Sequence, residues 1–421
     1  MIVSIYGGFG LGNFGNEATL QATLSSLRRL LPEVEFTCIC SGPEETEATH
    51  QIATRPINKA VIEGWRPENR ILMVLRSILI GLPSQIYQWV EAFLFLRRTD
   101  VLLVPGTGLL TDAFGLRSWG PYSLFKWAAT AKLRGCKVAY ISVGAGPIYT
   151  RAGKWLTKGA LSLADFRSYR DYETRNYLSS IFPRAAGDKV YPDLAFSLAD
   201  DGKTTDKAPE RRRPIVGVGL MLYHERLSED TGRHSTYTAY LDQLALFVEW
   251  LLARGYDISL LIGELSDRSV VAEFKALLKD RLPDYDEGRI RDGAAESAGA
   301  LVSQLAETYA VVATRFHNIL LALVQNKPVI SISFHQKCTS LMEDMGLRDY
   351  CQEIKQLSGN KLIEQFCRLE READSLRQMI RDEVEDRRGA LDEQYRLILR
   401  VIFGQTIAED AGQVPSVAAQ V

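Results

Sequence analysis

The sequence predicts an α/β protein made of two Rossmann-like domains that face one another across a cleft. Three observations predict it. Short apolar or β-branched runs alternate with amphipathic helical stretches in both halves of the chain. Three of those runs in the first half end in glycine-rich turns. A polar, charged stretch at 199–213 separates two copies of the pattern and reads as an interdomain linker. With 421 residues the chain is long enough for two domains that each bury a core.

The first element is Ile2–Tyr6, a β-branched run that feeds the loop Gly7–Gly15 and then a helix to Leu31, with Leu20, Leu24, Leu27 and Leu31 on one face. Gly10, Gly12 and Gly15 give the spacing G-x-G-x-x-G, the dinucleotide fingerprint. The fingerprint is incomplete. The second strand, Val34–Cys40, ends in Cys40-Ser41-Gly42, with no acid at its tip to hold a ribose. An anion or sugar site of another kind fits better than a nicotinamide site, and a tight turn without a ligand stays open. Residues 43–70 read as polar and irregular. The next stretch, Ile71–Leu96, is highly apolar, but Arg76 and Gly81-Leu82-Pro83 divide it into pieces too short to span a bilayer. It predicts a pair of buried or interface helices. A peripheral membrane patch through 71–98 is the alternative.

Asp100–Val104 is continuously apolar, as a strand buried on both faces should be, and it ends in Pro105-Gly106-Thr107-Gly108. A helix follows over Tyr122–Arg134. Lys137–Ser142 is the next strand, again ending in glycines, Gly144 and Gly146. A helix over Ala152–Ala164, a strand over Phe166–Arg170 and a helix from Asp171 complete an N-terminal domain at 1–198. The second domain, 214–403, restarts with strands at Ile215–Leu220, Tyr256–Ile262, near Arg289, at Tyr309–Ala313 and at Pro328–Ser333, with helices between them. Asn360–Phe403 is strongly helical and is expected to pack back across the domains, and 404–421 reads as a flexible tail. Open parallel sheets bind ligands at the carboxyl ends of their strands, so both domains should offer such ends to the cleft. This plan is GT-B-like. It describes architecture and not activity.

Composition narrows the classes. Lys and Arg number 50 against 52 Asp and Glu, so no global basic field for nucleic acid exists, and an anion site must be local. Six cysteines are scattered without zinc spacing, which with the missing signal peptide pattern predicts a cytoplasmic protein, with the inner face of the membrane as the location if 71–98 makes contact. No metal-binding, Walker A or G-x-S-x-G motif occurs, and the expectation is no cofactor.

The residues that could do chemistry concentrate at strand ends. Arg315 and His317 lie where a buried strand meets the next helix. One strand later, His335 and Lys337 lie at the same kind of junction. Arg supplies a planar fork, Lys a point charge, His a proton near neutrality, and a helix N-terminus adds partial positive charge. Only five histidines occur in the chain, and two fall in these turns. The set suits a small di- or trianion. Arg170 ends a strand of the first domain and could reach across to the same anion, or pair with Asp171 or Asp193. Asn13, Glu17 and Gly12 of the opening loop are candidates for the sugar side. Gly106, Gly108, Gly144 and Gly146 of the other turns are candidates for substrate binding. Asp112 is a candidate orienting acid, with an N-cap as the equal alternative.

Several ordered blocks now resemble the polysaccharide pyruvyl transferase family: G-G-x-G-x-x-N-x-G-x-E-A at Gly7–Ala18, P-G-T-G-L-L-T-D at Pro105–Asp112, S-V-G-A-G-P at Ser142–Pro147, S-Y-R-D at Ser168–Asp171, Y-P-D-L-A-F at Tyr191–Phe196, R-F-H at Arg315–His317, and P-V-I-S-I-S-F-H-Q-K at Pro328–Lys337. The blocks span about 1–340. Asn16 stands where the family commonly has an acid, and Thr107 where it tends to have a third glycine. The resemblance implies transfer of a pyruvyl group from phosphoenolpyruvate to hydroxyls of a polysaccharide or its lipid-linked precursor, forming a ketal. It implies His317 as general acid, with Arg315, Arg170 and Lys337 holding charge. The rival readings are a GT-B glycosyltransferase using a nucleotide sugar and a non-catalytic glycan-binding relative.

Overall fold

Ile2–Gly7 (β1) is buried along nearly its whole length, with Val3, Ile5 and Tyr6 inaccessible to solvent. It lies inside a seven-stranded parallel sheet, between the strands at Glu35–Cys40 and Val101–Pro105, and a strand of that kind is buried on both faces. The computed structural model describes residues 1–58, 69, 77–113, 115, 120–198, 213–223, 232–293 and 295–404. Residues 199–212 of the expected linker at 199–213, residues 71–76 of the apolar stretch and residues 405–421 of the expected tail at 404–421 lie outside these residues.

The first domain runs through α1 (Phe14–Leu30), β2 (Glu35–Cys40), α2 (Pro43–His50), β3 (Ala53–Pro56), α3 (Leu82–Phe95), β4 (Val101–Pro105), α4 (Pro121–Leu133), β5 (Lys137–Val143), α5 (Arg151–Ser162), β6 (Phe166–Tyr169), α6 (Tyr172–Ser179) and β7 (Lys189–Val190). Its strand order is β3-β2-β1-β4-β5-β6-β7, and all pairings are parallel. Within the stretch expected to be irregular, α2 and β3 are regular. Pro43 at the first turn and Glu44 and Glu45 beside it start α2. Ala-Thr-Arg-Pro is a weak strand sequence, and it pairs only because β2 offers it an edge.

The second domain repeats the design with β8 (Ile215–Leu220), α7 (Gly232–Ala253), β9 (Asp257–Ile262), α8 (Arg268–Arg281), β10 (Ile290–Arg291), α9 (Ala298–Ala306), β11 (Ala310–Ala313), α10 (Phe316–Val324), β12 (Val329–Ser333), α11 (Gln336–Asp344), β13 (Cys351–Glu353) and α12 (Gly359–Val401). The order is β10-β9-β8-β11-β12-β13, again parallel. Strand order reverses between β1 and β4 in one sheet and between β8 and β11 in the other. These switch points are where doubly wound sheets open a crevice.

The last helix belongs to both domains. It starts on α7, where Gly359 N–H donates to Gln243, and its far end enters the first domain. There Gln394 donates to Ser142 Oγ and Ser168 Oγ at 3.0 and 2.7 Å. Arg388 donates to the carbonyls of Phe196 and Leu198. The helix therefore packs back across the domains, and the boundary drawn at 214–403 does not confine its contacts.

The described part of 71–98 is not buried as a helix pair would be. On α3 and the turn before it, Leu79, Leu82, Ile86, Val90, Phe93 and Leu94 are exposed, Leu79 by 70%. Among the described residues no helix is long and apolar enough to cross a membrane.

Candidate active site

The opening glycine loop builds the junction between the domains. Phe14 N–H donates to Gly263 O at 3.1 Å and Leu265 N–H to Gly12 O at 3.0 Å. Gly12 has φ +71°, and a Cβ there would lie 2.5 Å from a Leu265 methyl, so this position needs glycine for conformation and for contact. Gly12 thus joins the two domains and is not among the described residues that line the cavity between them. Gly15 is demanded by the site itself. A Cβ on it would fall 1.8 Å from His317 Nδ1, which places the imidazole against the first turn of α1.

His317 stands in the first turn of α10, and its Nε2 is 4.0 Å from the buried Asp193 carboxylate. The same carboxylate takes Arg170 Nη1 at 3.3 Å and caps the turn after β7 by accepting from Ala195 N–H. Asp193 therefore links Arg170 of the first domain to His317 of the second. Burial pulls the His317 pKa down to about 4; Asp193 opposes this, while Lys337, Arg170 and Arg315 add to it. The imidazole is therefore neutral at pH 7.

Lys337 is half-buried. Its ammonium sits 5.4 Å from the Phe316 ring centroid and 5.5 Å from that of Phe334, and among the described residues no carboxylate pairs with it. Arg170 lies over the same Phe316 ring at 5.2 Å, so one ring carries two cations. Burial first, then Arg170 and Arg315, push the Lys337 pKa down. Arg315 differs from the expected anion fork. Asp267, fully buried, takes its Nε and Nη2 at 2.9 and 2.6 Å, and Glu264 takes Nη1 at 3.1 Å. Its donors are largely committed, so Arg315 is a charge held in place at the site wall. Asp267 and Glu264 follow β9 in a short turn, a place where nothing in the sequence marked them as partners of a residue some 48 positions away.

These groups line a cavity of about 250 Å³ between the domains, together with Gly8, Asn13, Asn16, Thr107, Gly108 and Leu109. Among the described lining residues are three cations, one histidine and no carboxylate. Thr107 Oγ1 is buried without a hydrogen-bond partner, and α10 lacks a side-chain cap, so its first N–H groups are open to an anion. Sequence reading passed over Phe316, and it named Asp193 only as a possible ion-pair partner of Arg170, a pair that forms. It marked Asn16 and Thr107 only as departures from the family pattern, and both prove to line this cavity.

Other candidates have structural work. The Glu17 carboxylate accepts from Gly10 N–H at 2.7 Å and faces His50 at 3.4 Å, bracing the loop away from the cavity. The Asn13 side chain caps α1 through Asn16 N–H, although the residue does line the cavity. Asp112 accepts from Tyr149 N–H, Thr150 N–H and Thr150 Oγ1 at 2.8, 2.9 and 2.6 Å. Burial raises its pKa, but these hydrogen bonds outweigh it and hold the carboxyl ionised; it ties a loop. His335 caps α11, its Nδ1 accepting from Lys337 N–H. A Cβ on Gly106 would meet Ser142 O at 2.3 Å, one on Gly144 would crowd Arg170 at 2.8 Å, and one on Gly146 would press Thr111 at 3.2 Å. These three are spacing glycines, whereas Gly108 opens directly onto the cavity.

A sequence model of the polysaccharide pyruvyl transferase family matches residues 13–336. The chain belongs to that family. The matched span contains each cation of the cavity except Lys337, which follows its last residue directly. The family makes the chain a transferase of pyruvyl groups to polysaccharide. No curated protein sequence matches. Solved structures share the fold at low identity. A UDP-GlcNAc 2-epimerase from Neisseria meningitidis bound to UDP-GlcNAc superposes with a TM-score of 0.59 at 10% identity, covering 96% of this chain and 100% of that one. The S. aureus MnaA–UDP structure gives 0.56 at 12%, covering 97% and 100%. A glycosyltransferase from Rickettsia africae gives 0.55 at 11%, covering 96% and 99%. This likeness shows the GT-B-like fold of two Rossmann-like domains facing a cleft.

Proposed function

We propose that this pyruvyl transferase takes its pyruvyl group from phosphoenolpyruvate and closes a cyclic ketal on two hydroxyls of an acceptor sugar. One observation carries the reading. The Lys337 ammonium, without a carboxylate partner among the described residues, stands beside Arg170 on one aromatic ring, in a cavity whose described lining holds no carboxylate. A small trianion with a phosphate and a carboxylate satisfies those cations, the open N–H groups of α10 and the unpartnered Thr107 hydroxyl.

The neutral His317 fits this donor. Burial is the main cause of the low His317 pKa, and Lys337, Arg170 and Arg315 add to it; the bound trianion would offset those three cations, so the imidazole gains a proton as the donor arrives. It then passes that proton to the enol CH₂, which becomes the methyl group. An acceptor hydroxyl attacks C2 and gives its proton to the His317 imidazole, which is neutral again at this point. The bond from C2 to the phosphate oxygen breaks, and a second hydroxyl closes the ketal. Donor and diol become the pyruvate ketal and hydrogen phosphate, with neither nicotinamide nor metal taking part. Lys337 and Arg170 hold the negative charge that moves onto the leaving phosphate. The test is phosphate release from phosphoenolpyruvate that depends on an acceptor glycan. Nucleoside diphosphate release from a nucleotide sugar, with phosphoenolpyruvate inert, overturns the reading.

A lipid-linked acceptor gives the exposed face of α3 a role. Leu82, Ile86, Val90, Phe93 and Leu94 project to solvent beside exposed Arg97 and Arg98, and Arg134 covers the Phe93 ring at 4.5 Å. Apolar residues bordered by arginines suit the surface of an anionic bilayer on the cytoplasmic side. Flotation with anionic but not zwitterionic vesicles supports this contact. Equal recovery with both, or concentration-dependent dimers in their place, overturns it.

A further inference from the structure

A second cavity, of about 370 Å³, adjoins the first, and the two share Arg170, Phe316 and Lys337 as their common wall. Its charge is different. Asp171, Glu173, Asp193 and Asp344 accompany Arg170, Lys337 and Arg387 among its lining residues. Four carboxylates against three cations leave no excess for a phosphate and repel one. A neutral ligand with many hydroxyls uses both signs, donating to carboxylates and accepting from cations.

One face of α11 forms a side of this cavity. Lys337, Ser340, Leu341 and Asp344 line it, at i, i+3, i+4 and i+7, the spacing of one helical face. Lys337 stands at the end shared with the cationic cavity. Asp344 lies two turns on, about 10 Å along the axis, a span that a sugar ring and its linkage fill. The Asp344 carboxylate is exposed and has no ion pair or hydrogen bond among the described residues. Its main-chain carbonyl is held by Arg387 Nη2 at 2.6 Å, and Arg387 also lies over Phe196 and pairs with Glu383. The helix that spans both domains thus fixes this end of the wall. Tyr172 also lines the cavity and is 64% exposed, and the Arg175 guanidinium lies over its ring at 4.9 Å.

We infer that this second cavity is the acceptor subsite: it binds the terminal neutral pyranose of the glycan, with Asp344 and Ser340 taking hydroxyls and Tyr172 covering the ring, and turns two hydroxyls toward the shared wall. The assignment rests on the phosphoenolpyruvate reading only for what happens at that wall. Recognition of a neutral sugar stands on the cavity's own charge and shape.

Saturation-transfer NMR with the methyl α- and β-pyranosides of glucose, galactose and mannose tests it on the full chain, without phosphoenolpyruvate. The wild type should transfer saturation to at least one glycoside. Asp344→Leu and Tyr172→Ala, both at exposed positions and expected to keep the wild-type Tm, should each reduce the effect at least fivefold, and Asp344→Glu should restore part of it. Added phosphoenolpyruvate should leave the glycoside signal in place. No signal from any glycoside, an unchanged signal in Asp344→Leu, or displacement by phosphoenolpyruvate overturns the assignment. Calorimetry with phosphoenolpyruvate separates this from the donor reading. An inert donor with intact glycoside binding sinks only that reading, and tight donor binding without glycoside binding sinks only this one.

Discussion

Replacing His317 by asparagine should remove a pH-dependent instability that the wild-type site carries. The native imidazole is held neutral, with its pKa pulled down to about 4, mainly by burial. In the unfolded chain it returns to about 6.5. Between those values the unfolded state binds a proton that the folded state refuses. Stability is therefore fully present above pH 6.5 and is lost as pH falls through the native value. A depression of this size amounts to about 3 kcal/mol in total, of which about 2 kcal/mol is gone by pH 5. Urea unfolding of the wild type and of His317→Asn at pH 7.5 and pH 5 reads the difference directly. Carboxylates shared by both proteins cancel, so the wild type should lose about 2 kcal/mol more than the variant. Parallel losses would refute the claim that the imidazole is buried neutral, and with it the proton uptake on donor binding. That uptake has its own measurement. Titrating phosphoenolpyruvate near pH 6 in two buffers of different ionisation enthalpy should show more proton uptake in the wild type than in His317→Asn, because protons lost by the donor's own phosphate are common to both.

Other expectations follow from single contacts. Lys337→Ala should weaken phosphoenolpyruvate binding by one to two orders of magnitude, read by calorimetry, because no other described ammonium lines the cavity; an unchanged affinity would place the donor elsewhere. Gly15→Ala drives a methyl into His317, costing about 1–3 kcal/mol by overpacking, and should lower kcat more than it changes the donor's KM. Asp267→Ala removes the buried partner of Arg315 and should cost about 3–5 kcal/mol in urea unfolding, far above the effect of Glu264→Ala at the more exposed end. Ile86→Asp with Val90→Asp should abolish vesicle flotation while leaving turnover of a water-soluble acceptor unchanged.

The cationic turns were legible because a parallel sheet forces them to one edge. Arg315, His317 and Lys337 each follow a buried strand, and that placement alone brings them to the cleft. Glu17 and Asp112 were less legible, because an acid near a glycine loop looks the same whether it faces a ligand or ties its own backbone. Only the fold shows Glu17 turned to Gly10 N–H and Asp112 turned to the 149–150 loop. Arg315 was recognised as a cation, but not as one already held by Asp267, whose position after a different strand carries no local signal.

By itself the sequence determined the two doubly wound domains, the carboxyl edges that bear the chemistry and the family, since these depend on short-range periodicity and on residues at strand ends. Tertiary structure decided how the charges are spent. Pairing and burial are set by neighbours brought from distant strands, and they leave Lys337 without a carboxylate partner among the described residues, commit Arg315, and keep His317 neutral. Tertiary structure also decided that the glycine loop joins the two domains. Its backbone bonds to Gly263 and Leu265 exist only once two sheets, far apart in the chain, meet across one cleft.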